Sequence, residues 1–407
     1  MSPTDSVASD PVDVSVLTSG HDVADARLHR QVAALRARGL TVEVLGLGDP
    51  TDAPAGTRVR TWQRPRLPGR AWLALRQPYL ARGRVLLTLD PDSGLAGALA
   101  TLARRGRARR VLVVDVHEDY AALLTDRAWA RRYAGVPGHL AKGLVRAGLA
   151  LTRVADLVVV ADEHVPPARA RRRMVVRNLP HPGMLPAPGP RGETPRALYI
   201  GDLRASRGLF AMLSALRSAP DWSLDLVGPV APRDQGRLDR ELADDAGLAS
   251  RVRLHGRMPP ERAWRVAEGA WVGLLLLADT AAFAEAVPSK LYEYVACGLP
   301  VVATDLPRQA ALVREKDAGA MVPCGNDATV GAAVSQVLRD WAGDPARLDA
   351  MRERLAVAGA QAREQRTPYD DLADAVADLA GRAEPGPPPS SEGSSRPRTG
   401  PTSGDNP

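Results

Sequence analysis

The residues best placed to do chemistry lie between Ala284 and Thr304, in the sequence AEAVPSKLYEYVACGLPVVAT. The Pro288-Ser289 pair predicts a helix start, which puts Lys290 in a first turn whose backbone N–H groups have no intrahelical partners. Such a helix end attracts phosphate, and a lysine there strengthens the attraction. Glu293, one turn further on, could accept hydrogen bonds from a ribose diol. The same spacing also fits an ordinary surface Lys–Glu pair.

A second stretch, Leu198–Leu209 (LYIGDLRASRGL), predicts a strand, a tight loop and a helix. The strand ends at Gly201, the loop carries Arg204 and Arg207, and Gly208 precedes the helix. Arginine contacts diphosphate oxygens bidentately where a loop lets the backbone approach. One glycine-containing turn is common in α/β proteins, but together with Lys290 it predicts a phosphate-binding site.

Both stretches lie within an alternation of short apolar runs and longer helical segments, which predicts βαβ units and parallel sheets. The Pro/Gly-rich passage 181–195 interrupts the alternation and predicts a linker between two doubly wound α/β domains. Open sheets of this kind bind ligands at the carboxyl ends of their strands, so the cleft between the domains is the expected site. The predicted ranges are a disordered leader 1–11, an N-terminal domain 12–180, a C-terminal domain 196–366, a helix 367–383 packing back on the N-terminal domain, and a disordered tail 384–407.

Composition excludes several classes of protein. The 407 residues are 45% hydrophobic and 25% charged, as in globular chains. No apolar run approaches the ~20 residues of a membrane span, and no basic-then-apolar signal segment precedes the first predicted strand. Two cysteines cannot build a disulfide framework or a four-ligand zinc site. These features predict a cytoplasmic protein without a structural metal.

Charge is unevenly distributed along the chain. The net charge is +7, and 51 of the 54 basic residues are arginine, a bias typical of GC-rich bacterial genomes. Residues 1–190 carry 28 basic and 17 acidic side chains, whereas 191–407 carry 26 and 30. A basic N-terminal half favours an anionic partner such as membrane phospholipid or a lipid phosphate. Aromatic residues are only 4% and are not interleaved with the arginine clusters, which argues against nucleic acid.

The two stretches, with Val252–Leu277 and Ala311–Asp327, resemble the C-terminal domain of GT-B glycosyltransferases, in the retaining set called group 1 or family 4. The N-terminal half is similar through SGHDVADARLHRQVAALRARGLTVEVLGLG and VLVVDVHEDYAALL. The resemblance covers roughly Val12 to Ala380. It implies two Rossmann-like domains facing a cleft, with acceptor binding in the first and a nucleoside-diphosphate sugar in the second.

The resemblance also implies a role for individual residues. Gly201, Arg207 and Lys290 would bind the donor diphosphate, Glu293 the ribose, and the loop with Arg257 and Met258 the base. His117 and Glu285 would lie at the transferred sugar as catalytic residues. The family often has arginine directly after the loop glycine, where this chain has Asp202, so Arg204 is expected to take over that contact. His21 and Arg27 would line the acceptor side, although N-capping by Asp22 explains that turn equally well.

Two acidic clusters suggest metal sites that the sequence does not support. Asp90-Pro91-Asp92 resembles the Asp-x-Asp metal motif of the other large glycosyltransferase fold, but Pro91 with Asp92 is better interpreted as capping a helix. Asp115, His117, Glu118 and Asp119 alternate faces at a strand end and lack the partner spacing of a known site.

The expected protein is therefore a retaining, metal-independent hexosyltransferase that uses a nucleoside-diphosphate sugar and no cofactor. Its acceptor would be a glycan or lipid-linked glycan of the cell envelope, and its basic half would contact anionic membrane peripherally. Two alternatives remain open: a nucleotide-sugar epimerase of the same architecture, and a basic binding protein on a decayed transferase scaffold.

Overall fold

The chain folds into two α/β halves, each built on a parallel β-sheet, with a cleft between them. The computed structural model describes residues 11–103, 109–116, 148, 152–163, 165–284 and 288–381. Over those ranges no helix is both long enough and apolar enough to cross a bilayer.

The N-terminal sheet has seven parallel strands in the order β3-β2-β1-β4-β5-β6-β7. The order reverses between β1 and β4, and a ligand crevice opens at such a switch point. Helices cover both faces, so the central strands are almost wholly apolar. The strands are β1 (Val14–Asp22), β2 (Val42–Leu47), β3 (Arg58–Trp62), β4 (Val85–Thr88), β5 (Val111–Val116), β6 (Leu157–Val160) and β7 (Arg173–Val175). The described helices of this half are α1 (Ala26–Ala37), α2 (Leu67–Leu80) and α3 (Pro91–Leu102).

The C-terminal sheet has six parallel strands in the order β10-β9-β8-β11-β12-β13, with its switch point between β8 and β11. The strands are β8 (Arg196–Ile200), β9 (Ser223–Val227), β10 (Val252–Gly256), β11 (Val272–Leu275), β12 (Val301–Thr304) and β13 (Gly319–Val322). The helices are α4 (Leu209–Arg217), α5 (Pro232–Ala243), α6 (Ala246–Ala249), α7 (Pro260–Arg265), α8 (Ala281–Ala284), α9 (Ser289–Ala296), α10 (Pro307–Glu315), α11 (Asp327–Gly343) and α12 (Pro345–Glu364).

A last helix, α13 (Pro368–Ala380), returns to the N-terminal half. Its apolar side buries Tyr369, Leu372 and Val376 in the same core cluster as Leu28 of α1. A capping box between Thr367 and Asp370 and a proline at the first helical position fix where the helix starts. The chain therefore crosses between the two halves twice, once through 181–195 and once before α13.

The apolar runs at 42–47, 111–116 and 157–160, which the sequence predicts as strands, form β2, β5 and β6, but one strand differs from the prediction. The edge strand β3 was not predicted, and its RVRTW sequence has no fully buried residue. The predicted boundary between 366 and 367 falls where α12 and α13 separate, because the N-cap Thr367 precedes Pro368. Edge strands carry weak apolar signals because only part of each side chain is buried.

Candidate active site

The two halves enclose a cavity of about 410 Å³ at the carboxyl ends of β1 and β8. Most of the residues singled out in the sequence lie on its wall: His21, Arg27, Gly201, Arg207, Arg257, Met258, Lys290 and Glu293. Among its lining side chains, five are arginine or lysine and three are aspartate or glutamate. This excess of positive charge favours an anionic ligand.

Glycines after β8 and β9 bring two backbone loops into direct contact. Gly201 has φ +143° and Gly228 φ +142°, and a Cβ on Gly228 would lie 2.0 Å from the Gly201 carbonyl oxygen. A Cβ on Gly201 would lie 2.2 Å from Cε of Lys290. Gly208 has φ +82° and would place a Cβ 2.4 Å from the Leu276 carbonyl oxygen. This part of the wall therefore requires glycine for both backbone conformation and space.

Lys290 lies in the first turn of α9, as the Pro-Ser pair predicts, and its half-buried side chain packs over Gly201. Burial, and after it the nearby Arg207 guanidinium, lower the pKa of Lys290 to about 8. Two cations held close together repel each other unless an anion lies between them. Arg207 and Lys290, more than eighty residues apart in the sequence, thus converge on one side of the cavity.

Glu293 is buried and bonded to the other half of the molecule. Its Oε1 accepts a hydrogen bond from the guanidinium of Arg30, on α1, and Arg30 also donates to Asn178. Arg30 itself is 2% exposed, and its pKa is raised by Glu293 and Tyr369 against the opposing effect of burial. The ion pair joins the predicted ribose-binding residue to the N-terminal domain, and the second carboxylate oxygen, Oε2, remains to accept from a ligand.

A second contact across the cleft lies beside the first. His29 Nδ1 is 3.1 Å from the Glu261 carboxylate at the start of α7, and His29 Nε2 faces the carbonyl oxygens of Val23 and Asp52 at 3.0 and 3.1 Å. Carbonyl oxygens can only accept, so Nε2 carries a proton. Burial raises the pKa of Glu261, but the His29 contact outweighs it and the pKa is lowered. Helix α1 therefore positions the two halves through neighbouring residues.

The predicted base-binding loop forms the far end of the cavity. Arg257 is exposed and Met258 is half-buried, and both line the wall. Behind them Trp264 is buried and packs edge-on against Tyr294, with ring centroids 5.4 Å apart. The Tyr294 hydroxyl lies between the backbone N–H of Ile200 and the carbonyl of Leu198. These contacts fix α9 against the end of β8 and hold the wall rigid.

On the N-terminal wall, the loop after β1 folds around a buried aspartate. Asp90 Oδ2 accepts from the Thr18 hydroxyl at 2.6 Å and from the backbone N–H groups of Ser19 and Gly20 at 2.8 and 3.0 Å. His21 Nδ1 lies 2.8 Å from Asp90 Oδ1. Burial opposes ionisation, but the His21 and Thr18 hydrogen bonds hold the pKa of Asp90 well below its usual range. The loop N–H groups that could have met a phosphate are therefore occupied by Asp90.

The helix caps differ from the prediction on this wall. Pro91 is the first residue of α3, but the carboxylate of its N-cap residue, Asp90, makes no capping bond, because it turns toward the β1 loop. Asp92 accepts from the Ser19 hydroxyl and from Arg70 instead of capping. Helix α1 is capped by Asp25, and the Asp22 carboxylate accepts from the N–H of Ala24.

Arg27 belongs to the framework of the site. Its guanidinium is buried and donates to both carboxylate oxygens of Asp115 at 2.6 and 2.8 Å and to the Val176 carbonyl at 3.1 Å. The Asp115 charge raises the pKa of Arg27 against the effect of burial. With its donors turned into the protein, Arg27 holds the ends of β5 and β7 together beneath the cavity.

Arg204 and two other predicted residues do not join the described wall. Arg204 is exposed and its Nη2 lies 2.6 Å from Asp202 Oδ2, so it does not line the cavity in this structure. His117 and Glu285 lie outside the described residues. No group of three or more potential metal ligands occurs in the described part of the chain.

Arg30 and Asn178 are the functional candidates that sequence reasoning missed, and Asp90 was considered only for metal binding and helix capping. Neither Arg30 nor Asn178 lies in a recognisable motif, and all three residues act across a long sequence separation. The only available signal was position: Arg30 follows Arg27 by three residues on the helix after the first strand, so both face the same side.

Comparisons with known proteins agree with this geometry. Residues 185–361 match the family described as Glycosyl transferases group 1, which confirms the resemblance drawn from the sequence. A search of the curated proteins finds no match.

Solved structures of similar fold cover about nine-tenths of the chain. Sucrose-phosphate synthase from Thermosynechococcus elongatus superposes with a TM-score of 0.61 at 16% identity, over 91% of this chain and 98% of that one. HepE from Anabaena, solved with UDP and glucose, gives 0.59 at 15% identity over 91% and 99%. WaaG, a glycosyltransferase involved in lipopolysaccharide biosynthesis, gives 0.59 at 16% over 91% and 100%. At such identities the likeness establishes the fold, two Rossmann-like domains of the GT-B type.

Proposed function

We propose that this protein is a glycosyltransferase that moves a sugar from a nucleoside-diphosphate sugar to a glycan or lipid-linked glycan acceptor. The chain has the GT-B fold, and its residues 185–361 match the group 1 glycosyl transferases. The observation that carries the proposal is the convergence of Arg207 and Lys290 on one glycine-lined wall. Two cations, one of them with a lowered pKa, are arranged for an anion of more than one charge.

The proposed chemistry is electrostatic. Breaking the bond between the sugar and the diphosphate leaves an oxocarbenium-like sugar and places negative charge on the leaving nucleoside diphosphate. Arg207, Lys290 and the N-terminus of α9 stabilise that charge as it develops. We propose that these groups supply the positive charge without a divalent metal, and that the sugar keeps its anomeric configuration, as the family resemblance implies.

Glu293 is proposed to hold the ribose. Arg30 occupies Oε1, which leaves Oε2 to accept from a ribose hydroxyl. Because Glu293 is buried and fixed by a cation, it offers a preorganised acceptor that need not lose side-chain entropy on binding. The loop with Arg257 and Met258 would then receive the base, and His21 would face the acceptor.

HepE, solved with UDP and glucose, suggests which donors to test first. Purified protein is incubated with UDP-, GDP- and ADP-sugars, with and without candidate glycan acceptors, and release of nucleoside diphosphate is measured. Lys290→Ala should lower the rate at least a hundredfold, about 2.7 kcal/mol of lost charge stabilisation. Lys316→Ala is the matched control, since Lys316 is exposed and pairs with Glu315 on the surface.

Two results would contradict the proposal. One is a Lys290→Ala variant as active as the wild type. The other is release of free sugar that proceeds at the same rate with or without every acceptor, which would favour the nucleotide-sugar epimerase. Addition of a chelator should leave the rate unchanged, and loss of activity restored by a divalent cation would overturn the metal-free part.

A further inference from the structure

Helices α2 and α3 expose an unusual group of large apolar side chains. On α2, Trp72 is 63% exposed, Leu75 45% and Tyr79 62%, and on α3, Leu99 is 46% and Leu102 53% exposed. Only two other large apolar side chains are exposed in the described residues, and they are isolated on the C-terminal half. We call these five residues the α2–α3 apolar face. Contiguous apolar patches on a protein surface mark an interaction site.

The orientation of this face is fixed by contacts on the opposite side of the helices. Leu73 and Ala74 of α2 are buried, and the buried Gln77 donates to the Thr18 and Leu45 carbonyl oxygens at 2.8 and 3.2 Å. The spacing of 72, 75 and 79, and of 99 and 102, puts the exposed side chains on one side of each helix. Both helices lead into neighbouring strands, β4 and β5, so they lie side by side on the sheet.

Positive charge surrounds the apolar face. Residues 53–89 contain eight arginines and no aspartate or glutamate. Arg76 is exposed and lies on α2 between Trp72 and Tyr79, and Arg110 reaches the Pro78 carbonyl oxygen at 2.8 Å. An aliphatic and aromatic surface beside this arginine-rich stretch of the chain matches an anionic bilayer, which offers both charge and an apolar interior.

Other partners fit this surface less well. Two identical basic faces would repel each other in a symmetric dimer. A nucleic acid backbone would satisfy the arginines but offers nothing apolar to Leu75, Leu99 and Leu102. The aromatic pair Trp72 and Tyr79 is typical of side chains at the level of lipid headgroups.

We propose that the α2–α3 apolar face docks this protein peripherally on membrane rich in anionic phospholipid. The chain just before α2 approaches the cavity, since Arg64 donates to the Gly20 carbonyl oxygen at 2.9 Å, next to the cavity residue His21. Docking through α2 would therefore hold this part of the cavity wall near the lipid surface. This placement would present a lipid-linked acceptor to the enzyme, a purpose that rests on the proposed function.

The test is co-sedimentation of the full chain with vesicles of phosphatidylcholine alone or with 30% phosphatidylglycerol. The wild type should bind the anionic vesicles, bind phosphatidylcholine much more weakly, and lose affinity as salt rises. Trp72→Ser with Tyr79→Ser should weaken binding at least tenfold, and Arg76→Gln roughly fivefold, since each cation near an anionic surface contributes about that factor.

Matched controls come from the C-terminal half. Val357→Ser changes a side chain that is 61% exposed, and Arg347→Gln removes an exposed arginine, so both should bind vesicles like the wild type. Thermal stabilisation by UDP, GDP or ADP is measured on every variant. The α2–α3 apolar face lies outside the cavity, so nucleotide binding should be the same in its variants as in the wild type. If no nucleotide stabilises the wild type or any variant, the result counts against the proposed donor site and not against docking.

Three results would overturn the docking proposal. The first is equal binding to both vesicle types, or none to either. The second is a variant of the α2–α3 apolar face that binds anionic vesicles as tightly as the wild type. The third is a dimer, seen by light scattering, that the Trp72→Ser and Tyr79→Ser changes dissociate, because the face would then be an interface between two copies of the chain.

Discussion

Lys290 should make the binding of a nucleoside diphosphate depend on pH above neutrality. Burial and the Arg207 guanidinium lower its pKa to about 8 in the unliganded protein. A bound diphosphate favours the ammonium form and raises that pKa, so binding takes up a proton. With a pKa of about 8, the charged fraction falls from about nine-tenths at pH 7 to about one-tenth at pH 9. The Kd should therefore rise about tenfold over that range.

Isothermal titration at pH 7, 8 and 9 measures this effect directly. The ligand charge stays constant because a terminal phosphate has a second pKa of about 6. Lys290→Arg is the matched variant, because a guanidinium stays charged throughout and should give a Kd that does not change with pH. At pH 7 the arginine variant should still bind, which separates the charge from the shape of the side chain.

Either of two outcomes would refute this reasoning about Lys290. A wild-type Kd that is constant from pH 7 to pH 9 would mean that the ammonium group does not contact the ligand or never loses its proton. The same tenfold rise in Lys290→Arg would assign the titration to another group.

Three further predictions concern stability and ribose recognition. Gly208→Ala should destabilise the C-terminal half in thermal melts by more than the ~1–2 kcal/mol of left-handed strain alone, because the new Cβ has no space. Gly39→Ala, at nearly the same φ but with open surroundings, should cost only that strain. Asp115→Asn should cost about 3–5 kcal/mol in denaturant unfolding, because it leaves the buried Arg27 cation without its partner; a change under 1 kcal/mol would argue against the pair. Glu293→Gln should weaken the binding of UDP roughly tenfold more than the binding of 2′,3′-dideoxy-UDP, since hydrogen bonds to charged groups contribute about 1.5–3 kcal/mol. Equal weakening of the binding of both ligands would contradict a contact between Glu293 and the ribose.

Much of the fold could be predicted from sequence because buried parallel strands are nearly continuous apolar runs. The runs at 42–47, 111–116 and 157–160 begin and end as predicted. β3 was missed since an exposed edge strand such as RVRTW lacks that signal. The break between α12 and α13 lies at the predicted start of the last helix, where Thr367 and Asp370 form a capping box.

The C-terminal wall of the site was predictable for a different reason. Gly201, Arg207, Lys290 and Glu293 belong to local motifs whose glycine, proline and helix-start signals fix their geometry within a few residues. The N-terminal wall was not. Arg30 reaches Glu293 only because the two halves meet, and no local pattern encodes that contact.

Arg27, predicted to line the acceptor side, shows the same limit on what a sequence position reveals. Its sequence position suited the acceptor side, but its donors are satisfied by Asp115 on a strand nearly ninety residues away. Tertiary pairing decides which arginines of an arginine-rich chain face a ligand and which belong to the framework.

The most direct test of the donor site is thermal unfolding of the wild type and of Lys290→Ala with UDP, GDP and ADP. A nucleotide at about 100 times its Kd should stabilise the wild type by ~2.7 kcal/mol, and the variant should lose that stabilisation at the same concentration. One nucleotide that stabilises the wild type and not the variant is the predicted result and identifies the base. No stabilisation by any of the three, or equal stabilisation of both proteins, would contradict a nucleoside-diphosphate site at Lys290.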